Sequence, residues 1–175
     1  MLTQSMIDAL NRQVALEGYA SFLYLSMSGW CEKEGLAGCA AFMRRQADEE
    51  RAHMLRIFDY LHEMDSHALT PGINQPPHEF GSIKNLFEEV YAHEKKVTAA
   101  INQLVALSYE EKDHTTLQFL QWYVAEQREE EALMRNLLDR IRLIGDGPMS
   151  LYYIDKEVDA INKAELSAEG EAEEA

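Results

Sequence analysis

Residues 42–57 read FMRRQADEERAHMLRI and place charged side chains on the apolar face of a predicted helix. The apolar positions follow the spacing of one helical face: Met43, Ala47, Met54 and Ile57. Glu50 and His53 fall on that same face and are three residues apart, so both side chains can reach one metal ion. The segment therefore predicts a helix that carries potential metal ligands into a core.

Each of the other three long helical segments also carries a polar residue on its apolar face: Glu17 in the first, Glu94 in the third, and Gln127 with Glu130 in the fourth. A single Glu in such a place usually lies at the edge of the stripe and reaches water. Several buried carboxylates are another matter, because each buried ion costs several kcal/mol even after relaxation. Their repetition favours a bound cation in the core.

The spacing of these residues indicates a weak internal repeat. Glu17 precedes Glu50 by 33 residues, and Glu94 precedes Gln127 by the same interval. We therefore expect a quasi-symmetric site for two metal ions, with one Glu from the first and third helices and a paired motif from the second and fourth. Glu and His are hard or borderline donors that suit Fe(II), Mn(II) or Zn(II).

Helix-breaking residues set the bounds of the predicted elements. We expect helices over residues 4–34 and 37–64, a third capped by Ser82 and ending near Ser108, and a fourth capped by Asp113 and ending near Ile144. The Pro- and Gly-containing loop between the second and third is long enough to run the length of a bundle. The fold class is thus all-α: a four-helix bundle with one long crossover loop and a short fifth helix over 149–163.

Composition narrows the function classes. The 175 residues are 46% hydrophobic and carry a net charge of -15, which suits one globular domain, attracts cations and argues against a nucleic-acid partner. Nothing resembles a membrane span or a signal peptide, so we expect a cytoplasmic protein. Cys31 and Cys39 are expected to stay reduced. We assign residues 1–163 to the bundle with its fifth helix and 164–175 to an acidic, disordered tail.

These residues resemble the bacterial non-haem ferritins over nearly the whole chain. The matching segments are Leu16-Glu17, Phe42 to His53, Glu94, Phe119 to Val124 with Glu126 to Glu131, and Leu151 to Glu157. The resemblance implies a ferritin-like fold and an iron-storage protein with ferroxidase activity. Fe(II) would be oxidised by O2 or H2O2 and kept as a ferric mineral inside a homo-oligomeric shell of 24 chains.

The resemblance also implies roles for individual residues. One iron would be held by Glu17, Glu50 and His53, and a second by Glu50, Glu94 and Glu130, with Gln127 close by. A third, weaker iron site would use Glu49, Glu126 and Glu129 and share Glu130. Tyr24 and Trp122 would lie beside the centre, and Tyr24, one heptad after Glu17, would donate an electron.

Some residues of this sequence differ from those that neighbouring families have at the corresponding positions. Bacterioferritins bind haem through a Met after the bridging Glu, and this chain has Arg51 there, so we expect no haem. Animal ferritins line their threefold channels with an acidic pair, and Leu117 and Leu120 are expected at those positions, which would make the channel apolar there. We expect four other histidines to lie in loops or at the surface: His62, His67, His78 and His93.

Two questions stay open from the sequence. A passive metal buffer without redox turnover and a scavenger of peroxide or oxygen are both alternatives to iron storage. The fifth helix carries Leu151, Tyr152, Ile154, Val158 and Ile161, too much apolar surface for a short solvated helix. It must pack either on its own bundle or, as the resemblance implies, against neighbouring subunits.

Overall fold

The computed structural model describes the backbone of residues 1–173 and the side chains of residues 1–168. Its helices are α1 (Gln4–Lys33), α2 (Ala37–Glu63), α3 (Ile83–Glu110), α4 (His114–Ile144) and α5 (Ser150–Glu173). Residues 1–173 contain no β-strand, so the predicted all-α class is confirmed. None of these helices has an apolar stretch long enough to cross a membrane.

Side-chain caps begin three of the four bundle helices. The Thr3 hydroxyl, the Ser82 hydroxyl and the Asp113 carboxylate each accept a hydrogen bond from the backbone N–H three residues later. The predicted caps Ser82 and Asp113 are therefore confirmed. The start of α2 is different, because the Leu36 side chain makes no cap hydrogen bond. Asp155 of α5 supplies one instead, accepting from the Cys39 backbone N–H at 2.9 Å.

The long connection between α2 and α3 crosses the bundle beside α1. Near its start, the Leu69 backbone N–H donates to Asn11 Oδ1 at 2.7 Å. Near its end, Lys33 at the far end of α1 pairs with Glu79 at 2.7 Å. The loop therefore spans most of the length of α1, which confirms the predicted crossover.

The core consists of two apolar clusters separated by a polar layer. One cluster includes Tyr24, Met43, Val90 and Met134, and the other includes Val14, Ile57, Val97 and Tyr123. Each bundle helix thus passes from one cluster to the other. The predicted ligands lie at the crossing point on every helix, between residues 14 and 20, 47 and 57, 90 and 97, and 123 and 134. The apolar pattern places the polar residues at one level of the bundle.

Helix α5 packs on the start of α2. A Cβ atom at Gly38 would lie only 2.4 Å from the Asp155 carbonyl oxygen, so this glycine permits the close approach of the two helices. Ile154 and Val158 are buried in the core, whereas Leu151, Tyr152 and Tyr153 are more than half exposed. Part of the apolar surface of α5 thus packs on its own bundle, and part of it faces outward.

Helix α5 is longer than the sequence predicted. It continues past Lys163 to Glu173, through most of the segment 164–175 that we expected to be disordered. The physical reason is composition: Ala164, Glu165, Leu166 and Ala168 are strong helix formers, which the acidic charge of the segment obscured. Residues 174–175 lie outside the described part of the chain.

The expectation for Leu120 was wrong. Its side chain has no exposed surface and belongs to the apolar core of its own subunit. Leu120 lies seven residues before Gln127, so it shares the inward-facing stripe of α4 and cannot line a channel between subunits. Leu117 is half-buried. In contrast, Cys31 and Cys39 are buried and free, as predicted.

Candidate metal centre

Glu17, Glu50 and His53 form one cluster in the polar layer. One potential ligand atom from each lies within 4.8 Å of the other two. The three side chains are 0%, 2% and 3% exposed, respectively. Helices α1 and α2 therefore bring together the three residues that the resemblance to ferritins assigns to one iron.

Several polar atoms of these side chains are unsatisfied. Gln13 Nε2 donates to Glu17 Oε1 at 2.8 Å, but Glu17 Oε2, Glu50 Oε2 and His53 Nδ1 are buried and make no hydrogen bond. Leaving such a group unpaired costs about 1–3 kcal/mol, and more when it is charged. A cation between these atoms would satisfy all three, and two carboxylate oxygens with an imidazole nitrogen suit Fe(II).

The same burial raises the pKa of the carboxyl groups. Desolvation is the main cause for Glu17, Glu50, Glu94 and Glu130, and neighbouring carboxylates add to it for Glu17, Glu50 and Glu130. In the absence of a cation, these groups therefore keep their protons to a higher pH than solvated glutamates do. Binding of a metal ion would therefore release protons from the site.

Both carboxyl oxygens of Glu94 in α3 accept hydrogen bonds. The Tyr24 hydroxyl donates to Glu94 Oε1 in a short hydrogen bond, and Gln127 Nε2 donates to Glu94 Oε2 at 3.0 Å. Glu130, one turn after Gln127, is 5% exposed, and its Oε2 makes no hydrogen bond. The α3–α4 half of the site therefore combines a satisfied carboxylate with an unsatisfied one.

His53 also belongs to a second cluster of candidate ligands, which includes Glu49 and Glu126. Its Nδ1 lies 3.6 Å from Glu50 Oε2, and its Nε2 lies 3.9 Å from Glu126 Oε1. Glu49, His53 and Glu126 form another cluster whose ligand atoms lie within 4.8 Å of one another. Glu129, the remaining residue of the expected third iron site, is exposed and pairs with Arg128 at 2.8 Å.

Aromatic side chains close the centre on the α4 side. The Trp122 ring lies 5.3 Å from the His53 ring at an angle of 76°. The Arg56 guanidinium stacks over Trp122 at 4.2 Å, and the Tyr123 hydroxyl donates to the His53 carbonyl oxygen at 2.7 Å. These contacts fix the indole and the α2 backbone beside the candidate ligands.

The expectation for His93 was wrong, whereas His62, His67 and His78 are exposed as predicted. His93 is 6% exposed, and its ring packs against Tyr19 and Tyr24 at 6.0 and 5.9 Å. Burial, and secondarily Lys96, lowers its pKa to about 4, so it is neutral. The signal was available: His93 follows Val90 by three residues and therefore continues the buried stripe of α3.

Sequence reasoning also missed three residues that support the ligands. Gln13 donates to Glu17, while Gln46 and Arg45 both donate to Glu49, at 2.7 and 3.0 Å. The two glutamines precede Glu17 and Glu50 by four residues, one turn of helix. That shared spacing was the signal that could have identified them.

Comparison with known proteins identifies the family. A family profile for the ferritin-like domain matches residues 7–144. This chain belongs to the ferritin family. The probable bacterial non-heme ferritin-like protein of Haemophilus influenzae is 44% identical over 158 residues, covering 90% of this chain and 96% of the relative. The bacterial non-heme ferritin of Escherichia coli O6:H1 is 43% identical over 162 residues, with 93% and 98% covered.

Solved ferritin structures share the fold. The open pore ferritin of Archaeoglobus fulgidus superposes with a TM-score of 0.88 at 41% identity, covering 91% of this chain and 98% of that one. The Chlorobium tepidum ferritin gives a TM-score of 0.82 at 44% identity, with 90% and 97% covered. The predicted ferritin-like bundle and the resemblance to bacterial non-haem ferritins are thereby confirmed.

Proposed function

We propose that this ferritin stores iron and is a ferroxidase that oxidises Fe(II) to Fe(III) in the core of each subunit. The observation that carries the proposal is the set of buried, unsatisfied atoms in the polar layer: Glu17 Oε2, Glu50 Oε2, His53 Nδ1 and Glu130 Oε2. A bundle keeps such a set only if another partner satisfies it. Membership of the ferritin family favours iron as that partner.

The residues divide between two iron sites that share one ligand. Glu17, Glu50 and His53 would bind the first Fe(II), and Glu50, Glu94 and Glu130, with Gln127 adjacent, would bind the second. Each Fe(II) gives up one electron, so the pair, together with two protons, reduces either one O2 to H2O2 or one H2O2 to two waters. The raised pKa values of these carboxyl groups mean that Fe(II) binding releases protons within the site.

Two further roles complete the reaction sequence. Tyr24, whose hydroxyl is hydrogen-bonded to the ligand Glu94, would supply one further electron, and a third Fe(II) another, so that four electrons and four protons reduce O2 to two waters. Glu49, Glu126 and Glu129, sharing Glu130, would hold a third and weaker iron on its way to a ferric oxyhydroxide mineral. His53 lies between Glu50 of the first two sites and Glu126 of the third. This position supports transfer of iron from the first two sites to the third.

Storage requires a closed container, which we propose is a homo-oligomeric shell of 24 subunits. The exposed apolar side chains of α5 support an assembly: Leu151, Tyr152 and Tyr153. These residues would pack against copies of α5 in neighbouring subunits. Removal of the chain after Ile144 is expected to give smaller oligomers or leaky shells, which size-exclusion chromatography with light scattering would detect.

Aerobic loading of the purified protein with Fe(II) tests the proposal. The wild type should form Fe(III) rapidly and retain it as electron-dense cores, whereas Glu130→Ala should lose the fast phase of oxidation. Glu89→Ala, an exposed carboxylate on the same bundle, is the matched control and should behave like the wild type. Bound iron that stays ferrous in air would contradict the proposal and indicate a passive metal buffer.

A further inference from the structure

A large cavity lies beside the centre, on the face formed by α2, α4 and α5. Its volume is about 880 Å³, and its wall includes Trp122, Glu126 and Glu130 of α4 together with Glu49 of α2. Glu130 is nine-tenths buried, and its Oε2 makes no hydrogen bond. The cavity therefore borders the candidate iron centre through a carboxylate that lacks a partner.

Helix α5 closes the other side of this cavity. Glu165 and Ala168 belong to the wall, and the Glu165 side chain is half-buried. Both residues lie in the segment after Lys163, where the helix was not expected. This extension of α5 therefore adds a carboxylate to the cavity wall that also contains Glu126 and Glu129.

The charges of the wall are strongly unbalanced. Its acidic side chains are Glu49, Glu126, Glu129, Glu130 and Glu165, and Arg45 is its basic residue. Arg45 pairs with Glu49 at 3.0 Å. Among the described residues of the wall, carboxylates outnumber basic side chains, which attracts cations, and oxygen ligands select hard metal ions. A volume of about 880 Å³ accommodates metal ions that keep their water shells.

Arg45 also forms a hydrogen bond that holds α5 against the cavity. Arg45 Nε donates to Asn162 Oδ1 at 2.8 Å, and Asn162 is 5% exposed. Glu165 follows Asn162 by three residues and therefore shares its face of α5. One side chain of α2 thus bonds to Glu49 and also holds the turn of α5 that precedes Glu165.

We propose that Glu165 is an additional ligand of the third iron site, beside Glu126 and Glu129 in this cavity. The site binds hydrated iron between the oxidation centre and the interior of the shell. The inference rests on the proposed function for the identity of the ion, but the site itself would bind other hard cations. It gives the extension of α5 a direct role in binding metal.

Terbium(III) luminescence in the assembled full-length protein tests the proposal. Tb3+ is a hard cation, and the Trp122 indole in the cavity wall can sensitise its emission. Glu165→Gln keeps the size and helix propensity of the side chain and should weaken a class of sensitised Tb3+ sites about tenfold, equivalent to about 1.4 kcal/mol. Glu165→Lys should weaken the same class further, because it adds a repelling charge.

The matched control is Glu157→Gln, which removes a carboxylate from α5 outside the cavity, where it pairs with Arg140 at 2.6 Å. This variant should bind Tb3+ like the wild type. A second readout is anomalous diffraction from Tb3+-soaked crystals, with a peak expected between Glu165 and Glu129. Equal weakening in both Gln variants, or no weakening and no peak beside Glu165, would overturn the proposal.

Failure of the proposed function would be recognised separately. Fe(II) oxidation by the wild type is measured in parallel. Loss of Tb3+ affinity in Glu165→Gln together with a wild type that never oxidises Fe(II) would retain the cation site and overturn the ferroxidase. The reverse pattern, with rapid oxidation and unchanged Tb3+ binding, would overturn only the role of Glu165.

Discussion

The two helix pairs repeat the same spacing of core residues but present their ligands differently. In the α1–α2 pair, Glu17, Glu50 and His53 converge within 4.8 Å, and each has an atom without a hydrogen bond. In the α3–α4 pair, both oxygens of Glu94 already accept hydrogen bonds, from Tyr24 and Gln127. The first half is ready to bind a metal ion, whereas the second must first give up hydrogen bonds worth about 0.5–1.5 kcal/mol each.

The largest expected difference between the halves is in the rate of Fe(II) oxidation. His53→Ala removes a ligand of the preformed half and should slow the initial rate by more than the 10–100-fold typical for loss of an outer-shell partner. Gln127→Ala removes only a donor to Glu94 and should slow the initial rate by about 10–100-fold, less than His53→Ala does. Stopped-flow absorbance of Fe(III) measures both. Equal losses would show that the halves do not differ as described.

The second expected effect is on the stability of the metal-free protein. Burial raises the folded-state pKa of Glu17 and Glu50 above the ordinary value of 4.5. The folded state therefore binds more protons than the unfolded state above pH 4.5, so these groups reduce stability as the pH rises towards their folded pKa values. Glu17→Gln with Glu50→Gln removes this loss and should stabilise the protein by about 1–4 kcal/mol near pH 8.

Calorimetry in the presence of a chelator measures this effect. The advantage of the double variant should shrink as the pH falls towards 5, where the wild-type carboxyl groups regain their protons. Glu89→Gln, exposed on α3, is the control and should show no such trend. A double variant that is less stable than the wild type at pH 8 would mean that the two carboxylates are satisfied without metal.

The smallest expected effect concerns the hydrogen bond to Glu94. Tyr24→Phe should destabilise the metal-free protein by about 1 kcal/mol, and so should Tyr60→Phe, which loses a hydrogen bond to Thr116 of 2.8 Å. Only Tyr24→Phe should change the affinity for the second Fe(II), because Tyr60 does not contact a candidate ligand. Anaerobic titration calorimetry compares the two. Identical Fe(II) binding by both variants would show that Tyr24 does not affect the affinity of the second iron site.

Most of the fold was predictable because local signals decided it. The caps Ser82 and Asp113, the Pro-containing crossover and the apolar stripes each act within a few residues of the chain. The candidate ligands were predictable for a related reason: Glu17, Glu50, Glu94 and Glu130 interrupt apolar stripes, and the stripes determine which side chains are buried.

Contacts between distant elements were not predictable from these signals. The Asp155 carboxylate that caps α2 lies 116 residues away in sequence, and Gly38 acquires its role only when α5 approaches it. The extension of α5 was missed because a run of Glu side chains indicates solvation and helix propensity equally well. His93 and Leu120 were misplaced because residue type and an assumed channel position were given more weight than helical periodicity.

Anomalous diffraction at the iron edge can locate the first iron that each subunit binds. Crystals of the assembled protein would be soaked anaerobically with one Fe(II) per subunit. We predict a peak between Glu17, Glu50 and His53 that is stronger than any peak beside Glu94 and Glu130. A stronger peak at Glu94, or no iron within the polar layer of the bundle, would contradict this prediction.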